Sequence, residues 1–489
     1  NKSDVAISVP QIGDTFTLAM SNGFKAEGYK LSIGGGGVRL TGEGLAGVRH
    51  GLKTLGQIVQ QSDGNKLPCL EIEDWPDFAA RGVYYDVTRG RVPLLERLFE
   101  LADGMAEYKL NELQLYIEHT FLFRRHPLIG KGADPLTADD IMLLDHYCRA
   151  RGIELVPSLA SFGHMHTVLQ HEQYHSLAED WGKCKYHKDA GRIMPEYSKN
   201  LIGQSLAPAN PKVYKFLDEL FSEFLPCFSS DKFNVCCDET WDLGLGQSFE
   251  LAQKIGKGNL YLGHIRKLNE ISKKYGKRIQ FWGDIIRHYP ELINDIPKDV
   301  TVLDWGYGSA ENFERIKDFT KTKLESYACP SVCSYVTLFP RVPESRANIA
   351  GWARAGVKHG ARGILNTDWG DGGHYNFMEY SWIGYLFGAE QSWNHLADQK
   401  SFTARFCKLF LGIDDREFIA ALDELGDISH LKSGSLYQSV WLHLFFAKPW
   451  HALFIQKASD CEVSEKGVIG KRVIPFDAGM GRETIRRLE

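Results

Sequence analysis

The chain has 489 residues, with 57 Lys+Arg against 62 Asp+Glu and a formal net charge of −5. A balance so close to neutral offers no long-range field for nucleic acid or an anionic membrane, and neither is expected as a partner. Hydrophobic residues at 43% and charged residues at 24% exclude a disordered chain, and the longest apolar runs fall short of the roughly 20 residues a bilayer-spanning helix needs.

Residues 1–76 read as a small α/β unit. Val5 to Pro10 and Gly28 to Leu40 have strand-like content, the second run broken by Gly34-Gly35-Gly36-Gly37. No Lys-Ser/Thr pair follows these glycines and no helix opens there, so they predict a hairpin turn rather than a phosphate loop. Leu45, Val48, Leu52, Leu55 and Val59 then recur at three and four, the spacing of one helix face, and Pro76 closes the unit.

From Arg81 strand-like runs alternate with helical stretches. The runs begin at Gly82, Asn111, Ile153, Lys232, Arg278, Val300, Glu325 and Arg362. Pro93 stands at a plausible first helical position, followed by the stripe Leu94, Leu95, Leu98, Leu101 and Met105. Eight strands each followed by a helix predict an α/β fold, a (β/α)8 TIM barrel over residues 77–395. The alternative is a doubly wound open sheet, which would be expected to carry a glycine-rich first turn. Residues 396–489 read as a helical C-terminal region. The segment from Ser161 to about Pro211 is long for a βα loop and is expected to wall the substrate.

In such barrels the active site lies at the C-terminal ends of the strands. The polar or aromatic residues there are Asp86, Arg89, Glu118, His119, His164, Asp238, Glu239, Trp282, Asp284, Asp304, Trp305, Tyr335, Asp368, Trp369 and Asp371. Only Asp238-Glu239 follows an apolar strand as two adjacent carboxylates. Two neighbouring anions that lose solvation raise one pKa, which is what a general acid needs near neutral pH. Eleven Trp among 12% aromatic residues suit either a core or sugar-stacking walls. With Trp282, Trp305 and Trp369 around two carboxylates, the pattern favours glycosidase chemistry.

Several stretches carry a resemblance. RGVYYDVTR (81–89) with Val92-Pro93, LYIEHTF (115–121), ELVPSLASFGH (154–164), NVCCDETWDLGLG (234–246) and NTDWGDGGH (366–374) occur in an order that resembles glycoside hydrolase family 20, the β-N-acetylhexosaminidases. They look closest to its hexosaminidase D-like and related bacterial branch. EGYKL (27–31) and the GVRHGLKTLGQ helix are similar to the small domain before that family's barrel. The resemblance implies retaining hydrolysis in which the substrate's own acetamido oxygen is the nucleophile. It implies Glu239 as acid and then base, and Asp238 as the group that holds the acetamido N–H. It also implies Arg89 on O3 and O4, Asp371 on O4 or O6, and Trp282, Trp305 and Trp369 as walls. Tyr335 would be the aromatic near the acetamido group, and His164 a histidine oriented by Glu118.

Three departures accompany the resemblance: His119 stands where the family commonly has Asp, Cys236-Cys237 where it usually has small or apolar residues, often glycine, and VTLFPR (336–341) replaces a small polar loop. The expected partner is a β-linked N-acetylhexosamine glycan or glycoconjugate. No cofactor is expected, and His164 with His166 is not read as a metal site. The competing readings are a related glycosidase for a sulfated or otherwise modified amino sugar, and a non-catalytic carbohydrate-binding barrel, which would be expected to lack one of the two acids. The ten cysteines show no repeated CxxC spacing and are read as buried free thiols. A start at Asn1 with no signal-like stretch predicts a processed or cut terminus. Compartment stays open between export and cytoplasm, and oligomeric state stays open with a homodimer among the options.

Overall fold

A computed structural model describes residues 16–62, 66–181, 203–371, 373–428, 461–463 and 469–471. Near the N-terminus four strands, β1 (Phe16–Ser21), β2 (Tyr29–Gly34), β3 (Gly37–Glu43) and β4 (Leu70–Asp74), form a sheet in the order β1-β3-β2-β4. Gly34 pairs with Gly37 across β2 and β3, so Gly35-Gly36 is the expected two-residue hairpin loop. Tyr29, Leu31 and Ile33 alternate onto one buried face with Leu40. β1 was not anticipated: it pairs parallel to β3, and all six of its residues are exposed, which leaves no burial pattern to read. The strand expected at Val5 to Pro10 lies outside the described residues.

Helix α1 (Gly44–Gln60) covers this sheet, on a face different from the one expected. Leu45, Leu52 and Val59 are exposed; the buried positions are Gly47, Val48, His50 and Gly51, with Leu55 and Ile58 packed beside them. Close approach is the reason. A Cβ on Gly47 would lie 2.2 Å from the Gly28 carbonyl oxygen, and one on Gly51 would lie 2.2 Å from Leu40 Cδ1. The contact face is therefore built from missing side chains, which a search for apolar residues cannot find.

The barrel strands are β5 (Ala80–Asp86), β6 (Glu112–Tyr116), β7 (Glu154–Val156), β8 (Lys232–Asn234), β9 (Arg278–Trp282), β10 (Thr301–Trp305), β11 (Glu325–Cys329) and β12 (Gly363–Asp368). All are parallel, in the cyclic order β7-β6-β5-β12-β11-β10-β9-β8. β7 and β8 close the ring through a parallel bridge between Ser158 and Asn234, with the Asn234 N–H donating to the Pro157 carbonyl at 2.8 Å. Helices cover the outer face of the strands and side chains fill the inside, so β5, β6 and β12 are buried at every position. After β5 comes α2 (Leu95–Glu107), which buries Leu98, Leu101, Ala102 and Met105 of the expected helical stretch.

The barrel's lower interior is polar. Lys232 Nζ donates to Glu112 Oε2 and Glu154 Oε2, both at 2.7 Å, and above it Gln114, Asn234 and Gln280 exchange side-chain hydrogen bonds of 2.8–2.9 Å. Gln280 Nε2 alone in this group is buried without a hydrogen-bond partner among the described residues.

The small sheet meets the barrel at Glu27. Its carboxylate accepts from Arg81 Nη2 and His50 Nε2, each at 2.8 Å. Burial alone would raise its pKa, yet the hydrogen bonds from His50 and Arg81 prevail and hold it at about 2. Trp393, ending the helix Met378–Trp393, lies under the Arg81 guanidinium and donates its indole N–H to Asp74 at 2.9 Å.

Beyond the barrel, Phe402–Phe406 and Arg416–Ile428 are helical as expected, whereas Cys461–Val463 and Ile469–Lys471 pair as antiparallel strands. Three-residue strands are too short to present a period. Among the described residues, the cysteines at 69, 148, 227, 236, 237, 329, 333 and 407 are free thiols, and all but Cys69 are buried.

Candidate active site

The strand ends converge on one mouth. Asp86, the last residue of β5, is fully buried and organises the rim: it accepts from the backbone N–H groups of Thr88, Arg89 and Gly370 and from Arg89 Nη1 at 3.1 Å. That fixes the Arg89 side chain, whose Nη1 also lies 3.4 Å from Asp371 Oδ2 and whose Nη2 lies 3.5 Å from Glu118 Oε1. The guanidinium sits over the rings of Tyr116 and Trp369, 5.0 and 5.2 Å from their centroids. Asp371 keeps 47% of its side chain open to solvent, so this carboxylate faces the mouth.

His164 joins the acids. Its Nε2 lies 3.3 Å from Asp238 Oδ2 and 3.5 Å from Glu239 Oε2. The expected partner, Glu118, is farther: its Oε1 lies 4.0 Å from His164 Nδ1 and instead accepts the Tyr116 hydroxyl at 2.7 Å. Asp238 therefore orients the imidazole, a pairing between distant loops that strand order alone does not reveal. Burial would push the His164 pKa down, but the negative charge of Asp238 beside the ring outweighs it and lifts the value to about 9. The same contact works in reverse on Asp238: burial opposes its ionisation, and the imidazolium overcomes this and holds its carboxyl below the usual range. Burial pushes Glu239 up; His164 offsets part of this, while Asp238 and Asp371 add to it. One buried anion thus stands beside one carboxyl with a raised pKa.

The chain reaches this geometry through strain. Cys236, Cys237 and Glu239 have φ of 59°, 69° and 48°, and His164 across the mouth has 58°. A residue with a side chain pays roughly 1–2 kcal/mol to adopt this left-handed region, so neighbours must hold it. The Cys236 carbonyl accepts the Trp282 N–H at 2.9 Å, the Cys237 carbonyl accepts the Tyr261 hydroxyl at 2.9 Å, and the Glu239 N–H donates to Asp284 Oδ2 at 3.0 Å. Cys236 also fills space: its Sγ lies 3.5 Å from Ser158 Oγ and 3.6 Å from Tyr84 Oη, beneath the acids.

The aromatic residues form one connected surface. Trp282 and Trp369 lie 5.9 Å apart, each packed on Tyr84. Trp282 is fully enclosed and makes the floor. Trp305 and Tyr335 reach this group through Tyr307, which stacks on Trp305 at 4.9 Å, lies 6.0 Å from Tyr335 and accepts the Trp369 indole N–H at 2.6 Å. Tyr307 and Tyr116 were not singled out from the sequence. Each stands two residues from a residue that was, Trp305 and Glu118, and that spacing was the available signal.

Other strand-end residues belong elsewhere. Asp304 is buried between Arg287 and Arg315, and Asp368 accepts from Tyr385 and Ser334. His119 Nδ1 lies 4.0 Å from Glu118 Oε2, with burial keeping its pKa low. Among the described residues, no group of three or more His, Cys, Asp or Glu is arranged to hold a metal ion.

The chain is similar to known proteins. The chain is 27% identical over 311 residues to "Beta-hexosaminidase 1" of Coccidioides posadasii, covering 58% of this chain and 50% of that protein. It is 28% identical over 240 residues to "Beta-hexosaminidase subunit beta" of Sus scrofa, covering 46% and 41%. The match thus spans about half the length of these curated relatives. Among solved structures, a GH20 exo β-N-acetylglucosaminidase from Vibrio harveyi in complex with N-acetylglucosamine superposes with a TM-score of 0.65 at 18% identity, over 82% of this chain and 69% of that one. Flavobacterium johnsoniae chitobiase gives 0.64 at 22% identity, over 92% and 68%. The two structures bear out the fold: a barrel preceded by a small α/β unit. The model for "Glycosyl hydrolase family 20, domain 2" matches residues 3–75, and that for "Glycosyl hydrolase family 20, catalytic domain" matches residues 78–339. With the catalytic-domain match running through more than half of its length, this chain belongs to glycosyl hydrolase family 20.

Proposed function

We propose that the protein is a retaining exo-β-N-acetylhexosaminidase that removes terminal β-linked GlcNAc or GalNAc through an oxazolinium intermediate. The observation that carries this reading is the single histidine within 3.3 and 3.5 Å of two adjacent carboxylates, one held ionised and the other with a raised pKa. Glu239 protonates the leaving oxygen and then deprotonates the incoming water. Asp238, kept anionic by His164, accepts the acetamido N–H and stabilises the positive charge that develops as the acetamido oxygen closes on the anomeric carbon. Adjacent acids leave no room for one of them to act as a nucleophile from the opposite face of the sugar. The other nearby carboxylates are engaged, Glu118 by Tyr116 and Arg89, and Asp371 by Arg89. Arg89 grips the hydroxyls O3 and O4, and Asp371 takes O4 or O6. Trp369, Trp305 and Tyr335 wall the ring and acetamido group above Trp282. The relatives named beta-hexosaminidase, and the Vibrio harveyi enzyme seen with N-acetylglucosamine, support the substrate class.

The test is a screen of aryl β-glycosides of GlcNAc, GalNAc, their 6-sulfates, Glc and Gal, with a cyclic thiazoline as mimic of the intermediate. The acetamido sugars are hydrolysed and the glucoside and galactoside are not; the thiazoline binds far more tightly than GlcNAc. Glu239→Gln lowers kcat on poor leaving groups by on the order of 10²–10⁴. Covalent trapping of a fluoro-sugar lacking the acetamide on an Asp or Glu overturns the mechanism. Preference for a 6-sulfate moves the assignment to the modified amino sugars.

A further inference from the structure

Asp284 takes no part in the steps above, yet it touches the residue that performs the proton transfer. It opens the one-turn helix Asp284–Arg287, two residues after Trp282, and its Oδ2 accepts the Glu239 backbone N–H at 3.0 Å. Its other oxygen, Oδ1, is sealed from solvent and has no hydrogen-bond partner among the described residues. The recipient of this contact is special: Glu239 sits at φ 48°, at the end of a run in which Cys236 and Cys237 are also left-handed. Trp282 and Tyr261 hold the carbonyls of the two cysteines, and Asp284 alone among these anchors acts on Glu239 itself.

We propose that Asp284 is a positioning residue for the acid: its carboxyl oxygen fixes the left-handed backbone of Glu239 and so sets where the Glu239 carboxyl points. The inference rests on the assignment of Glu239 as general acid. The carboxyl must accept an N–H without placing a third negative charge beside two acids, and its surroundings provide for that. The charged groups facing it are Asp238 and Glu239, with the neutral Cys237 thiol and Tyr261 hydroxyl nearby; burial, then the Asp238 charge, push Asp284 up to about 8. A neutral side chain of the same shape should therefore do the same work.

The experiment compares Asp284→Asn, which keeps a neutral acceptor in place, with Asp284→Ala, which removes it. Asp284→Ser, polar but one atom too short to reach, replaces the alanine variant if that fails to fold. Two readouts are taken on folded protein: steady-state kinetics on aryl GlcNAc substrates with a series of leaving groups, and amide exchange of the peptide containing Glu239. Asp284→Ala should lower kcat on poor leaving groups by about 10-fold to 100-fold, the scale of a displaced catalytic group. KM should move less than about twofold and activated leaving groups should suffer less, since acid assistance matters least for them. The Glu239 peptide should exchange faster. Asp284→Asn should return both readouts to near wild type. Unchanged kcat and exchange in Asp284→Ala, or an Asp284→Asn as impaired as the alanine variant, overturns the inference. A wild-type protein inactive on every acetamido sugar, with faster exchange in Asp284→Ala, instead removes the acid assignment and leaves Asp284 as the support of the turn.

Discussion

His164 stands between a buried carboxylate, Asp238, and a half-buried one, Glu239, as their nearby cation, and this dependence is measurable through pH. Its folded pKa, about 9, stands above the ordinary 6.5 of a free imidazole. The folded protein therefore binds a proton that the unfolded chain releases between these values, and stability must fall with rising pH across that interval. The contribution is complete below pH 6.5 and lost as pH passes 9. Urea midpoints measured from pH 6 to 9.5 for wild type and His164→Asn should differ by a curve that declines over this window. Its amplitude should be on the order of 3 kcal/mol, given about 1.4 kcal/mol for each unit between those two values. A difference independent of pH would mean that the imidazole is neutral. Cys236 and Cys237 raise a second question for single residues. Both have positive φ, the region glycine adopts without cost, so each thiol occupies a backbone conformation that its neighbours must hold.

Loops hold the site as firmly as strands do. Gly163, just before His164, lets the loop after β7 lie against the Asp238 loop; a Cβ there would stand 2.3 Å from the Asp238 carbonyl oxygen. Gly163→Ala should push the two acid-bearing loops apart, costing about 1–3 kcal/mol by overpacking and lowering kcat by up to about 10²-fold through misplacement. Gly256→Ala makes the useful control, because Gly256 has φ 81° but open space around it: it should cost stability and leave kcat alone. Equal kinetics in the two variants would show that the contact at Gly163 is not transmitted to the acids. The eight barrel strands were legible in the sequence because short strand-like runs alternate with helical stretches along the chain, even where polar residues such as Glu112 and Gln114 interrupt them. The face of α1 was misread because it meets the sheet through Gly47 and Gly51, and β1 was missed because an exposed edge strand shows no alternation. Residues at strand ends could be nominated, but their partners could not. The contacts His164–Asp238, Tyr307–Trp369 and Asp284–Glu239 join segments 74, 62 and 45 residues apart, and no local period encodes them.

Across the molecule, stability and chemistry occupy opposite ends of one barrel. From Glu112 to Glu118 the chain of β6 and its extension climbs roughly 20 Å at about 3.3 Å per residue, leading from the Lys232 ion pairs to the mouth. Lys232→Met should leave Glu112, itself fully buried, without its cation. Gln114 and Tyr327 still donate to that carboxylate, at 2.8 and 3.1 Å, but breaking a buried pair from one side costs about 3–5 kcal/mol. The expected outcome is a large drop in melting temperature with kcat/KM per folded molecule near wild type. Loss of activity in the folded variant would show that the lower interior is mechanically coupled to the acids.

The Glu27 junction bears on how such a protein can be divided. Arg81 has no solvent-exposed side chain and receives its counter-charge from Glu27, which lies in the turn leading into β2 rather than in the barrel. Trp393, from the last barrel helix, is covered on one side by Arg81 and tied to Asp74 on the other. Cutting the chain between the sheet and the barrel would leave a buried guanidinium bonded to the Phe78 and Lys109 carbonyls but without its counter-charge, and open an indole to water. Modular exchange of the barrel into another setting would therefore have to carry the sheet with it, or replace the carboxylate of Glu27 with one from its new neighbour.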